Sequence, residues 1–132
     1  MSLGGIKALT FDTGGTILDW HTGFAEALAR IGAKHGLERD WHGLANEIRR
    51  GGLGRMLNLG EKEPPAYNFD GAHRAALEDV IAKHGLEAFT EAERHDIAYD
   101  TPHNFVCWPD FPAVLPKLRE RYICASFTIL SY

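Results

Sequence analysis

The sequence predicts an α/β protein, a small parallel-sheet core carrying a helical insertion. An apolar segment, Ile6 to Phe11, runs into Asp12 and a glycine-containing turn, and a second apolar segment, Tyr122 to Leu130, lies near the other end of the chain. Between them apolar residues recur at three- and four-residue spacing in several runs, the period of helices with one buried face. Strands that flank a helical block, instead of alternating with helices, fit an insertion carried on a core of few strands.

Ile6, Ala8, Leu9 and Phe11 form the short, mostly apolar pattern of a strand buried between layers. An Asp at the carboxyl end of a parallel strand, followed by Thr13-Gly14-Gly15-Thr16, lies where open α/β sheets bind ligands. Glycine leaves the turn amides uncovered, so they can converge on an anion. Asp12 is the candidate nucleophile, and Thr13 and Gly14 are candidates for substrate binding. The same pattern is also compatible with an ordinary β-turn in which Asp12 is the side-chain acceptor.

Phe24, Ala27, Leu28 and Ile31 then define a helix stopped at Gly36. A second helix is expected from Asp40, with Trp41, Leu44, Ala45 and Ile48 on one face. Glycine costs about 1 kcal/mol against alanine inside a helix, so Gly51, Gly52 and Gly54 predict a break just after Arg49-Arg50. Asn58 to Asn68, with Pro64-Pro65, reads as a surface excursion. Asp70 is a candidate cap for a third helix whose apolar face carries His73, Leu77, Val80 or Ile81, and His84, with Gly85 closing it.

Thr90-x-x-Glu93 is a capping-box signal for a shorter helix toward Tyr99. Asp100 to Pro109 reads as a connection back to the first domain. Phe111, Val114, Leu115 and Leu118 mark a final helix, with Pro116 expected in its first turn, where its missing N–H costs nothing. The run Tyr122 to Leu130 is expected to be the second buried strand, with Thr128 near its carboxyl end. Two strands make an incomplete sheet with an open edge, and the stretch reads as the front half of a larger protein.

The chain has 132 residues, 45% of them hydrophobic and 24% charged, with a formal net charge of −4. That is one domain's worth of ordinary globular chain. It shows no basic run of the kind that nucleic-acid binding requires. No signal-peptide pattern or membrane-length apolar run is present, so the sequence predicts a cytoplasmic protein with no membrane partner. Cys107 and Cys124 have no disulfide-framework, metal or CxxC spacing, and the seven histidines include no His-x3-His pair. No dinucleotide or phosphate-loop fingerprint surrounds the glycine pairs.

Lys7-Ala8-Leu9-Thr10-Phe11-Asp12-Thr13-Gly14-Gly15-Thr16 resembles the first motif of the haloacid dehalogenase-like hydrolase superfamily. Ile17-Leu18-Asp19-Trp20, the Arg49-Arg50 pair, Trp108-Pro109-Asp110 and Leu118 to Tyr122 are similar to its 2-haloacid dehalogenase branch. The resemblance implies a Rossmann-like core over 1–17 and 104–132 and a helical cap over 18–103. It implies an Asp12 nucleophile that forms an ester intermediate, later hydrolysed by water. It also implies Thr16 as the motif threonine, Thr128 as the hydroxyl of the second motif, and Arg49 or Arg50 as the cap arginine on the substrate and leaving halide. A solvated helix face is the other account of the arginine pair.

The substrate class so implied is a small 2-haloacid, an anion. Gly14 stands where phosphatases of the superfamily carry a general-acid Asp. A departing halide needs no proton, so Gly14 favours carbon–halogen cleavage over phosphate-ester hydrolysis. Dehalogenases usually place a bulky aromatic there, however, and Ile129 stands where they carry an asparagine after the second-motif hydroxyl. The dehalogenase assignment needs no cofactor, whereas the phosphatase alternative would bind Mg²⁺ through Asp12. The third and fourth motifs lie downstream in the family, so this stretch alone is expected to be inactive. A third possibility is a non-catalytic relative acting as an interaction or homodimerisation module.

Overall fold

The computed structural model describes residues 3–57 and 68–129. A 3₁₀ turn, Leu3–Gly5, leads into strand β1, Ala8–Phe11. Then come helices α1 (Trp20–Lys34), α2 (Trp41–Leu57), α3 (Phe69–His84) and α4 (Glu91–His95). A π-helical turn, Asp96–Asp100, joins α4 to α5 (Thr101–His103), and α6 (Asp110–Arg119) precedes strand β2, Ile123–Ser126. The result is an α/β fold that is mostly helical, with one two-stranded parallel sheet. Its register pairs Ala8 with Ile123 and Phe11 with Ser126.

The core lies in the helical block. Phe24, Leu28 and Ile31 of α1, Leu44 and Ile48 of α2, Leu77, Val80 and Ile81 of α3, and Leu86, Phe89 and Ile97 form one buried cluster. Helix α1 starts because Asp19 accepts from the Thr22 N–H, satisfying an orphan donor of the first turn. Helix α3 is capped by Asn68, which accepts from Gly71 N–H, and ends at Gly85 in a left-handed conformation (φ +68°). Asp70 is therefore not the cap but a buried residue of the first turn. The Thr90–Glu93 capping box forms in full.

Further expectations from local sequence are overturned. Helix α2 does not break at its glycines but runs through them to Leu57. Those glycines buy close packing on α3: a Cβ at Gly51 would stand 3.0 Å from Ala76 Cβ, and one at Gly52 would stand 2.8 Å from His73 Cδ2. The helical segment toward Tyr99 extends through Asp100 to His103, over residues expected to be a connection. Pro116 sits inside α6, not in its first turn. That helix is largely exposed, so the carbonyl freed at Pro112 can be hydrated.

Finally, neither strand is buried. Leu9 and Phe11 are only half-covered and Ile123 is 70% exposed, because among the described residues the sheet has only partial cover, from α6, where Phe111 packs edge to face on Phe11. The expected excursion at 58–67 and the end of the second apolar run at Leu130 fall outside the described residues.

Candidate active site at the end of strand β1

Strand β1 ends at Phe11, which puts the Asp12 carboxylate at the carboxyl end of the sheet, exposed to solvent. The turn that follows is tightly wound. Ile17 and Leu18 N–H both donate to the Thr13 carbonyl, and Gly15 N–H donates to the Leu18 carbonyl. Gly15 has φ +101°, a backbone state that favours glycine. Winding the loop this way brings Thr16 back over its start, so that Thr16 Oγ1 donates to Asp12 Oδ2 at 2.6 Å. A short hydrogen bond to an ionised acceptor is among the stronger of its kind, and it fixes the carboxylate rotamer.

The segment returning from the helices pins the same loop. Asp19 N–H donates to the Val106 carbonyl at 2.8 Å, and Trp108 N–H donates to the Ile17 carbonyl at 2.8 Å. The Trp108 indole N–H donates to the Gly15 carbonyl at 3.2 Å.

Strand β2 delivers a hydroxyl beside the loop, but not the expected one. The strand stops at Ser126, whose Oγ lies 2.6 Å from Thr13 Oγ1. Thr128, expected near the strand end, lies two residues beyond it in an exposed bend and makes no side-chain hydrogen bond to another described residue. The backbone explains the difference. Phe127 N–H donates to the Phe11 carbonyl at 2.8 Å, the last rung of the ladder, after which the chain turns away. The signal for Ser126 in the sequence was a hydroxyl directly after Ile123-Cys124-Ala125.

The structure also separates the two arginines. Arg49 is half-buried, its guanidinium 4.8 Å from the Phe69 ring centre and 5.6 Å from that of Trp20. Burial lowers its pKa, and the negative charge of Asp12 acts in the opposite sense. Arg49 and Asp12 thus interact through their charges without forming an ion pair among the described residues. Arg50 is exposed and lines a shallow groove with Glu47, Asp79 and Lys83 on another side of α2.

Near Arg49 lies His73, fully buried, with neither ring nitrogen hydrogen-bonded among the described residues. Its ring packs 4.3 Å from that of Phe69 and 5.2 Å, edge to face, from that of Phe24. Burial, then repulsion from Arg49, pushes its pKa down to about 4, with Asp70 opposing. Nothing in the sequence singled out Trp20, Phe69 or His73 as the surroundings of a functional arginine, since they meet only when α1, α2 and α3 pack.

Among the described residues no group of three His, Cys, Asp or Glu side chains is placed to hold a metal ion. With Gly14 two residues after Asp12, the described loop lacks a second carboxylate that would help hold Mg²⁺. No described helix is long and apolar enough to cross a membrane.

The site thus has an aspartate at a strand end, held by a threonine four residues on, in an α/β fold whose two strands flank a helical block. No protein-family model matches the chain, and no curated protein matches it. Solved structures do. A defluorinating L-2-haloacid dehalogenase superposes with a TM-score of 0.81 at 30% identity, over 93% of this chain and 51% of its own. A second L-2-haloacid dehalogenase gives 0.82 at 26% identity, over 96% of this chain and 54% of its own.

The L-2-haloacid dehalogenase from Xanthobacter autotrophicus with chloropropionic acid covalently bound shares the fold, with a TM-score of 0.78 at 21% identity over 96% of this chain and 47% of its own. The chain is thus similar in fold and sequence to L-2-haloacid dehalogenases of the haloacid dehalogenase-like superfamily, and spans about half the length of the solved structures it matches.

Proposed function

We propose that the protein containing this chain is a hydrolase with Asp12 as nucleophile, acting on the carbon–halogen bond of a small 2-haloacid. The observation that carries this is the Thr16–Asp12 hydrogen bond at 2.6 Å facing a half-buried Arg49. It gives a carboxylate held in one rotamer and a partly buried positive charge whose field reaches it. In the first step an Asp12 carboxylate oxygen supplies the electron pair for a new carbon–oxygen bond, and the halide leaves with the carbon–halogen pair. Water then hydrolyses the ester. Arg49 stabilises charge on the leaving atom and the substrate carboxylate, an electrostatic contribution that grows where water is excluded. The Ser126–Thr13 hydroxyl pair, not Thr128, stands beside the nucleophile loop to hold the substrate's anionic group, with the Thr13 and Gly14 amides.

The core is assigned to 1–17 and 104–132, a Rossmann-like sheet, and the cap to 18–103. The hydrogen bonds between Asp19 and Val106 and between Ile17 and Trp108 support boundaries at those crossings. Gly14 offers no proton donor for an alcohol leaving group, which favours halide over phosphate ester.

The test is chloride release from L-2-chloropropionate without added metal, on the longest natural product containing these residues and its Asp12→Asn variant. Release that vanishes in the variant is expected. Mg²⁺-dependent turnover of p-nitrophenyl phosphate without halide release would move the protein to the phosphatase branch. A second possibility, self-association, has its own observation: Val106, Ile123 and Phe127 are 74%, 70% and 79% exposed. Light scattering of the 132-residue chain tests it, and a strict monomer would exclude it.

A further inference from the structure

Two tryptophans flank Gly15, and only one of them is satisfied. Trp108 donates its indole N–H to the Gly15 carbonyl. Trp20 Nε1 lies against the same residue, where a Cβ on Gly15 would stand 2.8 Å from it, and its N–H has no acceptor among the described residues. An indole N–H can only donate, and Trp20 is half-buried, so its N–H is open to an acceptor from outside the described residues.

The placement is over-determined. Trp20 is the first residue of α1, set by the Asp19 cap and the Asp19–Val106 bond. The indole approaches the loop only because Gly15 has no side chain. Arg49 stands over the indole ring at 5.6 Å, a cation–π contact. A cation on that face draws electron density from the ring and makes its N–H a better donor. The nucleophile turn, the start of α1 and the middle of α2 thus meet where the Trp20 indole lies against Gly15 of the turn and under the Arg49 charge.

We propose that the Trp20 indole N–H is a second donor, beside Arg49, for the halide as it departs. The chemical role rests on the dehalogenase assignment above, whereas halide binding at the indole does not. When Asp12 attacks carbon, negative charge passes from its oxygen to the leaving atom. No proton moves, and Trp20 keeps its hydrogen throughout. A donor at that atom acts mainly in the transition state, where charge is appearing. It matters more for compact chloride than for diffuse iodide.

The experiment is a sodium bromide titration of ¹⁵N-labelled protein, with ionic strength held constant by sodium sulfate. The chain has three tryptophans and so three indole N–H signals, and the one absent from Trp20→Phe is assigned. Its contact with Gly15 gives an independent assignment that needs no variant. The Trp20 signal is expected to shift saturably while the other two stay fixed, and Arg49→Gln should weaken the response. No saturable shift, or an equal drift of all three signals, overturns the proposal.

In turnover, Trp20→Phe is expected to lower kcat for a chloroacid by about tenfold with little change in KM, the loss of one hydrogen bond made late. The loss should be smaller for an iodoacid. A saturable Trp20 shift without halide release from any 2-haloacid keeps the halide site and removes the dehalogenase assignment. Asp12-dependent release unaffected by Trp20→Phe, with no bromide shift, keeps the assignment and removes the proposal.

Discussion

His73 should make the helical block acid-sensitive. Its pKa falls from the ordinary 6.5 to about 4, first because burial disfavours the charged ring and second because Arg49 repels it. In the unfolded chain the ring takes up a proton near pH 6.5, so the unfolded state binds protons more readily. Stability contributed by the neutral ring is therefore complete above pH 6.5 and is lost as pH falls toward 4. A depression of roughly 2.5 units, at about 1.36 kcal/mol per unit, gives a loss of about 3 kcal/mol across that window.

The perturbation is His73→Phe, which removes the titration while keeping an aromatic ring against Phe24 and Phe69. At pH 7 the sign of its effect is a contest. Two unpartnered nitrogens disappear, worth about 1–3 kcal/mol. A larger ring meets Gly52, and such overpacking costs about 1–3 kcal/mol. The informative quantity is the change with pH. Urea denaturation followed by circular dichroism at pH 7.0, 5.5 and 4.0 should show wild type losing about 3 kcal/mol more than the variant, nearly all of it between pH 6.5 and 4. A constant wild-type-minus-variant difference across that range would refute a buried neutral His73. Arg49→Gln should recover part of the loss by removing the second cause.

Gly52→Ala should destabilise by about 1–3 kcal/mol because its Cβ meets His73 Cδ2 at 2.8 Å. Gly54→Ala meets nothing within 4 Å and should stabilise α2 by about 0.5–1 kcal/mol, so thermal melts of the two should move in opposite directions. Thr90→Ala removes the acceptor for the Glu93 N–H and should cost about 1 kcal/mol in urea denaturation. Glu93, held down to about 2 chiefly by His35 and the Thr90 backbone, stabilises the fold at neutral pH, and that contribution should fade as pH drops from 4.5 toward 2, read as a falling urea midpoint. Thr16→Val frees Asp12 Oδ2 and should reduce chloride release by at least about tenfold with stability little changed, whereas Arg49→Lys should do far more harm to turnover than Arg50→Lys.

Local chemistry was most legible where one residue dictates geometry to its immediate neighbours. The Asp12 turn, the Thr90–Glu93 capping box and the Gly85 stop each depend on contacts within a few positions, and each formed. Pattern failed where a distant partner changes the sign of a local preference. Gly51 and Gly52 are poor helix residues in isolation, yet α2 continues through them because α3 fits into the space they leave. The second strand was placed in the right segment but extended too far. Its end is set by pairing with β1, which is four residues long, and not by how far apolar character continues. That moved the strand-end hydroxyl from Thr128 to Ser126.

Sequence by itself determined the nucleophile candidate, the two strand segments, most helix boundaries and the superfamily, because these rest on short-range dihedral and capping preferences and on a contiguous motif. It left Arg49 and Arg50 equivalent, since adjacent positions on a helix differ only in the direction they face. Tertiary packing broke that tie. Docking α2 against Trp20 of α1 and Phe69 of α3 half-buried Arg49 against those rings within reach of the Asp12 charge, left Arg50 in solvent, and buried His73 beside Phe69. The Arg49 charge meets the Trp20 ring and acts on Asp12 and His73 only once the helices pack, and no linear spacing encodes that proximity.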